Sequence, residues 1–135
     1  MHEHRFSIVD RAGHELAGFD FVRWVDGAWS ESSEVLFVND HTGPGREDCY
    51  VMRGTANHYS FESLTDIMVK SPNIGPGYDN EKPPETPENS EYYMLCHGWN
   101  AAHLVDVTLE GTTDARGEFN YHMNFDIETG KFQSF

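Results

Sequence analysis

The fold is decided by residues 103–126, which read HLVDVTLEGTTDARGEFNYHMNFD. Apolar and polar residues alternate on both sides of a central turn signal, and alternate side chains of a strand point to opposite faces of a sheet. The segment therefore predicts two strands, 103–110 and 117–126, that form a hairpin. Its apolar face is the candidate core, and its polar face carries Asp106, Thr108, Glu110, Glu118, Asn120, His122, Asn124 and Asp126.

The same alternation, interrupted by Gly, Asn and Asp turn signals, predicts further strands along the chain. These span residues 5–9, 15–25, 35–38, 49–53, 92–97 and 131–135, with a loop at 39–48. One helix is predicted at 59–70, because Phe61, Leu64 and Met68 follow a helical spacing that ends before Pro72. We therefore expect a single domain, 1–135, of the α+β class but mostly β. Its antiparallel sheet of about seven or eight strands would curl into a barrel or a cone.

Residues 71–91 form the longest stretch without an apolar pattern. They contain five of the six prolines and the densest group of acidic residues. A segment of this length inside a compact domain is either functional or disordered. Two alternatives are open: a lid over a binding site, or a disordered and solvated loop.

The chain has 23 acidic and 9 basic residues, and its formal net charge of −14 is spread along its length. This balance argues against nucleic acid and against anionic membrane surfaces as partners, because both are bound by basic patches. No apolar run reaches the roughly 20 residues of a membrane span or resembles a signal peptide. The two cysteines, Cys49 and Cys96, are expected to be free thiols, with one disulfide as the alternative. These features predict a soluble, cytoplasmic protein.

The polar face of the 103–126 hairpin holds the best candidate for chemistry. If Glu110 and Glu118 face each other across the turn, Asp106 lies opposite His122. A carboxylate that orients an imidazole is the arrangement used in general acid–base catalysis. We therefore predict His122 and Asp106 as catalytic residues and Asn120 as a ligand-binding neighbour. The face either lines a pocket or is an ordinary solvated surface, depending on which side of the hairpin is buried.

Three more ligand-binding residues are predicted at the rim of such a pocket. His97 and Trp99 lie near the end of a strand, and Tyr78 lies in the 71–91 segment. A zinc site made from His97, His103 and His122 would need ligands from both faces of the sheet, which a tetrahedral site does not allow. No Gly-rich phosphate loop or paired-cysteine motif is present. Neither a metal site nor a cofactor is therefore predicted.

Two functions from different classes fit this sequence. The first is a domain that binds a small neutral or cationic molecule, with a cofactor-independent lyase or isomerase reaction at His122 and Asp106. The second is an acidic protein that inhibits or escorts a basic partner, such as a nuclease, a toxin or a nucleic-acid-binding protein. Nothing in the sequence indicates an oligomeric state.

Overall fold

The computed structural model describes residues 3–43, 46–55, 58–70, 91–113 and 117–134. These residues form ten strands and one short helix. In chain order the elements are β1 (His4–Val9), β2 (Glu15–Phe21), β3 (Trp24–Trp29), β4 (Leu36–Gly43), β5 (Arg46–Thr55), β6 (His58–Ser63), α1 (Leu64–Lys70), β7 (Glu91–Ala101), β8 (Leu104–Thr113), β9 (Gly117–Asp126) and β10 (Lys131–Ser134).

The strands belong to two sheets. The small sheet pairs β1 with β2, and the large sheet has the order β10-β9-β8-β7-β5-β4-β3, with β6 paired to β5 as well. The prediction of a mostly β chain with one helix is confirmed for the residues that the structure describes. The expectation of an antiparallel sheet is wrong at one place, because β5 and β7 pair in parallel. No closed barrel forms among the described strands, since β3 and β10 lie at opposite ends of the large sheet.

The helix begins later than the sequence predicts. Residues 58–63 form strand β6, whose backbone pairs with β5, and this pairing overrides the helical spacing of the apolar residues. Ser63 is the N-cap of α1, because its Oγ accepts the backbone N–H three residues later at 3.1 Å. Asp48 of β5 holds the first turn by accepting hydrogen bonds from Thr65 N at 3.2 Å and Thr65 Oγ1 at 2.7 Å. No helix in the described ranges is long and apolar enough to cross a membrane.

The main core lies on one face of the large sheet. Val105, Val107 and Leu109 of β8 are fully buried there, as are Met123 and Phe125 of β9. The alternation predicted for these two strands is therefore confirmed. The same cluster includes Leu64 and Met68 of α1, Phe37 of β4, Cys49 and Val51 of β5, and Met94 and Cys96 of β7.

A smaller cluster lies on the opposite face of β4 and β5. Leu36, Val38 and Met52 are buried there against Phe6 and Phe19 of the small sheet. The alternation along β4 separates the two clusters, since neighbouring side chains point to opposite faces. The small sheet therefore covers one face of the half of the large sheet that contains β4 and β5. The buried side chains of β7, β8 and β9 belong to the main core on the other face.

A disulfide joins the two halves of the large sheet. Cys49 of β5 is bonded to Cys96 of β7, which corrects the expectation of free thiols. Asn39 of β4 supports the same point: its Nδ2 donates to Cys96 O at 2.8 Å, and its Oδ1 accepts from Cys96 N at 2.9 Å. Because β5 and β7 share only two backbone-paired positions in the described residues, these links reinforce a short strand pairing.

Removing this disulfide should destabilise the protein. We expect the double variant Cys49→Ala/Cys96→Ala to lose about 2–4 kcal/mol of its free energy of unfolding, because the bond spans a sequence separation of 47 residues. Denaturant-induced unfolding with and without a reductant measures this change, and reduced wild type should approach the variant. Two titratable thiols in the unreduced native protein would contradict the assignment.

Candidate functional site

The outward face of β8 and β9 carries the predicted acid–base pair. His122 Nε2 lies 2.6 Å from Asp106 Oδ1. The two residues are not directly opposite, since Thr108 pairs with His122 and Asp106 pairs with Asn124, so the contact is diagonal. The predicted register is wrong by two residues, but an even shift keeps every side chain on its predicted face. The pair forms for this reason.

The acid–base pair lies at the surface. The side chain of His122 is 45% exposed and that of Asp106 is 23% exposed. Because the apolar side of the β8–β9 hairpin faces the core, its polar face points outward. Of the two alternatives that the sequence leaves open, the structure therefore supports the solvated surface and not the lining of an enclosed pocket. An imidazole that contacts both a carboxylate and solvent is placed to exchange a proton with a bound ligand.

His97 lies on the same face, at a β-bulge in β7. The register of β7 against β8 shifts between Cys96 and Gly98, so His97 is an extra residue in its strand. Its Nε2 lies 2.6 Å from Thr108 Oγ1. Since Thr108 is the cross-strand partner of His122, the structure brings both histidines to one small area of the sheet.

Trp99 lies on the other face of β7. The bulge at His97 reverses the alternation, and Trp99 packs against the main core. Its Nε1 donates a hydrogen bond to Ala28 O at 3.1 Å. The structure therefore does not bring Trp99 and His97 together as the sequence predicts. Tyr78 lies outside the described residues, as does the 71–91 segment, for which a lid and a disordered loop are the two alternatives, apart from its last residue.

A groove of about 430 Å³ lies at one end of the polar face. Its three carboxylates come from different strands, and none of the described residues that line it is Lys or Arg. Asn120, predicted to bind ligand, donates from Nδ2 to Glu110 Oε1 at 3.3 Å. The groove therefore favours a positively charged group that donates hydrogen bonds. Its lining residues are Glu91, Tyr93, Glu110, Gly111, Thr112, Glu118 and Asn120.

A cluster around His41 was not predicted from the sequence. Its ring stacks on Trp24 with centroids 3.7 Å apart. Its Nε2 lies 2.6 Å from Asp26 Oδ2, and its Nδ1 contacts Glu47. Residues 39–43 and 46–48 belong to β4 and β5 and not to the loop that composition predicts. These contacts tie β3, β4 and β5 together, which is a structural role.

Asp40 and Asp48 are cross-strand partners on β4 and β5. Asp40 is only 4% exposed, and its Oδ1 has no hydrogen-bond partner in the described part of the chain. Burial raises the pKa of the Asp40 carboxyl, and the charge of the neighbouring His41 offsets part of this rise by lowering the pKa. Burial likewise raises the pKa of Asp48, although the hydrogen bonds that it accepts from the start of α1 lower the pKa in part. Burial and the nearby carboxylates raise the pKa of Tyr50 to about 12.

The Asp40 carboxyl should make stability depend on pH. An acid whose pKa is raised on folding stabilises the native state below its unfolded pKa, and this contribution is lost as pH rises through the folded pKa. We expect Asp40→Asn to be more stable than wild type at pH 7, by on the order of 1 kcal/mol, because a buried charge is removed. The difference should shrink as pH falls toward about 4.

Denaturant unfolding of Asp40→Asn and wild type across this pH range gives the measurement. The control is Glu3→Gln, which removes an exposed carboxylate and should leave the curve of stability against pH unchanged. A difference between Asp40→Asn and wild type that stays constant with pH would contradict the assignment.

Three potential metal ligands converge at the other end of the β8–β9 pair. His103, Asp126 and Glu128 each offer a donor atom, and these atoms lie within 4.8 Å of one another. Within the described ranges this is the one group of three or more such residues found so close together. The sequence predicts His103 and Asp126 on opposite faces of a hairpin. In the structure β8 begins at Leu104, so His103 lies in a turn and does not follow the strand alternation.

Comparison of the chain with models of protein families, with curated proteins and with solved structures finds no match. The features that carry chemistry are the acidic groove, the surface-exposed acid–base pair, and the ligand cluster of His103.

Proposed function

We propose that the chain binds a small cationic molecule in the acidic groove at the end of the polar face. The observation that carries the proposal is the lining: Glu91, Glu110 and Glu118 contribute carboxylates, and no described lining residue is basic. Ammonium and guanidinium groups form short, charge-assisted hydrogen bonds with carboxylates. The net charge of −14 adds a field that attracts cations to this surface.

The acid–base pair lies within reach of a ligand in this groove. Asn120 lines the groove, and His122 follows two positions later on the same face of β9, about 7 Å away along the strand. A ligand longer than a single amine would extend from the carboxylates to His122 and Asp106. The lyase or isomerase reaction predicted from the sequence would use this contact for proton transfer, with no cofactor.

A basic protein is the second candidate ligand. The groove lies on an open sheet face with exposed Glu91, Glu110 and Glu118, and such a surface also suits Lys or Arg side chains of a partner. Binding of this kind depends strongly on ionic strength, because it relies on exposed charges. The cytoplasmic location stays a prediction, and the Cys49–Cys96 bond weighs against it because disulfides persist in oxidising compartments.

Calorimetric titration with spermidine tests the groove. We expect binding by wild type and a loss of about tenfold in affinity for Glu110→Gln/Glu118→Gln, since two exposed charge pairs are each worth about 0.2–1 kcal/mol. The matched control is Glu31→Gln, which removes an exposed carboxylate from the turn after β3. His122→Ala should also weaken binding if spermidine reaches the acid–base pair.

Equal affinity of the groove variant and wild type would contradict the proposed site. An octa-arginine peptide serves as the second probe. If the peptide binds with a steep dependence on salt and spermidine does not bind, the basic-protein alternative replaces the small-molecule proposal.

A further inference from the structure

Two neighbouring turns place an imidazole and two carboxylates together. His103 lies in the turn between β7 and β8, Asp126 ends β9, and Glu128 lies in the turn between β9 and β10. The two turns are tied by a hydrogen bond from Ile127 N to His103 O at 3.0 Å. This backbone contact holds His103 beside the β9–β10 turn, where the three donor atoms lie within 4.8 Å of one another.

Asp126 has the surroundings of a metal-binding carboxylate. It is 6% exposed, and its Oδ1 accepts hydrogen bonds from Glu128 N at 2.9 Å and Thr129 N at 3.3 Å. Its Oδ2 accepts one from Gln133 Nε2 at 3.2 Å. Carboxylates that bind metals are oriented by such outer partners, and Oδ2, which accepts only one of these hydrogen bonds, has a second lone pair for the ion.

The cluster also has room for a further ligand. His103 and Glu128 line a cavity of about 460 Å³, which also contacts Glu34 and Arg53. Arg53 Nη1 is paired with Glu62 Oε2 at 3.1 Å. This pairing partly neutralises the positive charge that would otherwise repel a cation. Three protein ligands beside an open space match zinc sites in which water or substrate takes the fourth position.

We infer that His103, Asp126 and Glu128 bind a first-row divalent metal ion, for which Zn²⁺ is the best match. The imidazole decides the class of ion, because Mg²⁺ and Ca²⁺ prefer sites made of oxygen ligands alone. The site uses none of the residues of the acidic groove, so its test is independent of the test of the proposed cation binding.

Titration of the full chain with Zn²⁺ against a chromogenic chelator tests the site. Wild type should bind one ion at micromolar or lower concentration, and an excess of Mg²⁺ or Ca²⁺ should not displace it. His103→Gln and Glu128→Gln should each weaken binding tenfold or more. The matched control His122→Gln removes an exposed imidazole from the polar face and should bind like wild type.

Substitution with Co²⁺ gives a readout of geometry. The intense visible absorption of a four-coordinate ion is expected in wild type and should disappear in Glu128→Gln. Because the Glu128 side chain is exposed, this variant should keep wild-type stability in the presence of EDTA. Zinc binding that both site variants leave unchanged, or no binding at micromolar zinc, would overturn the inference.

Discussion

The junction between β5 and β7 is the constraint on which the large sheet depends. Backbone pairing joins the two strands at two residue pairs of the described chain. The Cys49–Cys96 bond and the Asn39 side chain add a covalent link and two hydrogen bonds at that place. β8, β9 and β10 follow β7 by successive antiparallel pairing. The β5–β7 junction therefore determines which face of these four strands lies against α1. Asp48, next to Cys49, holds the first turn of that helix.

The sequence predicts the faces of β8 and β9 correctly, because burial of every second side chain is a local property of a strand. The register predicted for the two strands is wrong by two residues, because register depends on the turn that connects them. The Asp106–His122 contact is nevertheless found, since diagonal neighbours on one face are still within reach of each other. A shift of one residue would have separated them.

Other features depend on contacts distant in sequence, and local patterns do not reveal them. The bulge at His97 sends Trp99 to the core face, although strict alternation places both on one face. The predicted helix loses its first half because pairing with β5 competes with helical spacing. The cluster of His103 requires two turns to meet, and strand alternation assigns His103 and Asp126 to opposite faces.

Charge and topology together place the two candidate sites at opposite ends of β8 and β9. Six residue steps separate the Glu110–Asn120 pair from the Leu104–Asp126 pair, which is about 20 Å along the strands. We propose that organic cations bind at the first of these ends and not over the whole acidic surface. Backbone amide chemical-shift mapping by NMR during titration with spermidine tests where these cations bind. We expect shifts confined to β7, β8 and β9 around Glu110 and Asn120, whereas shifts spread equally over the acidic residues of both halves of the sheet would contradict this proposal.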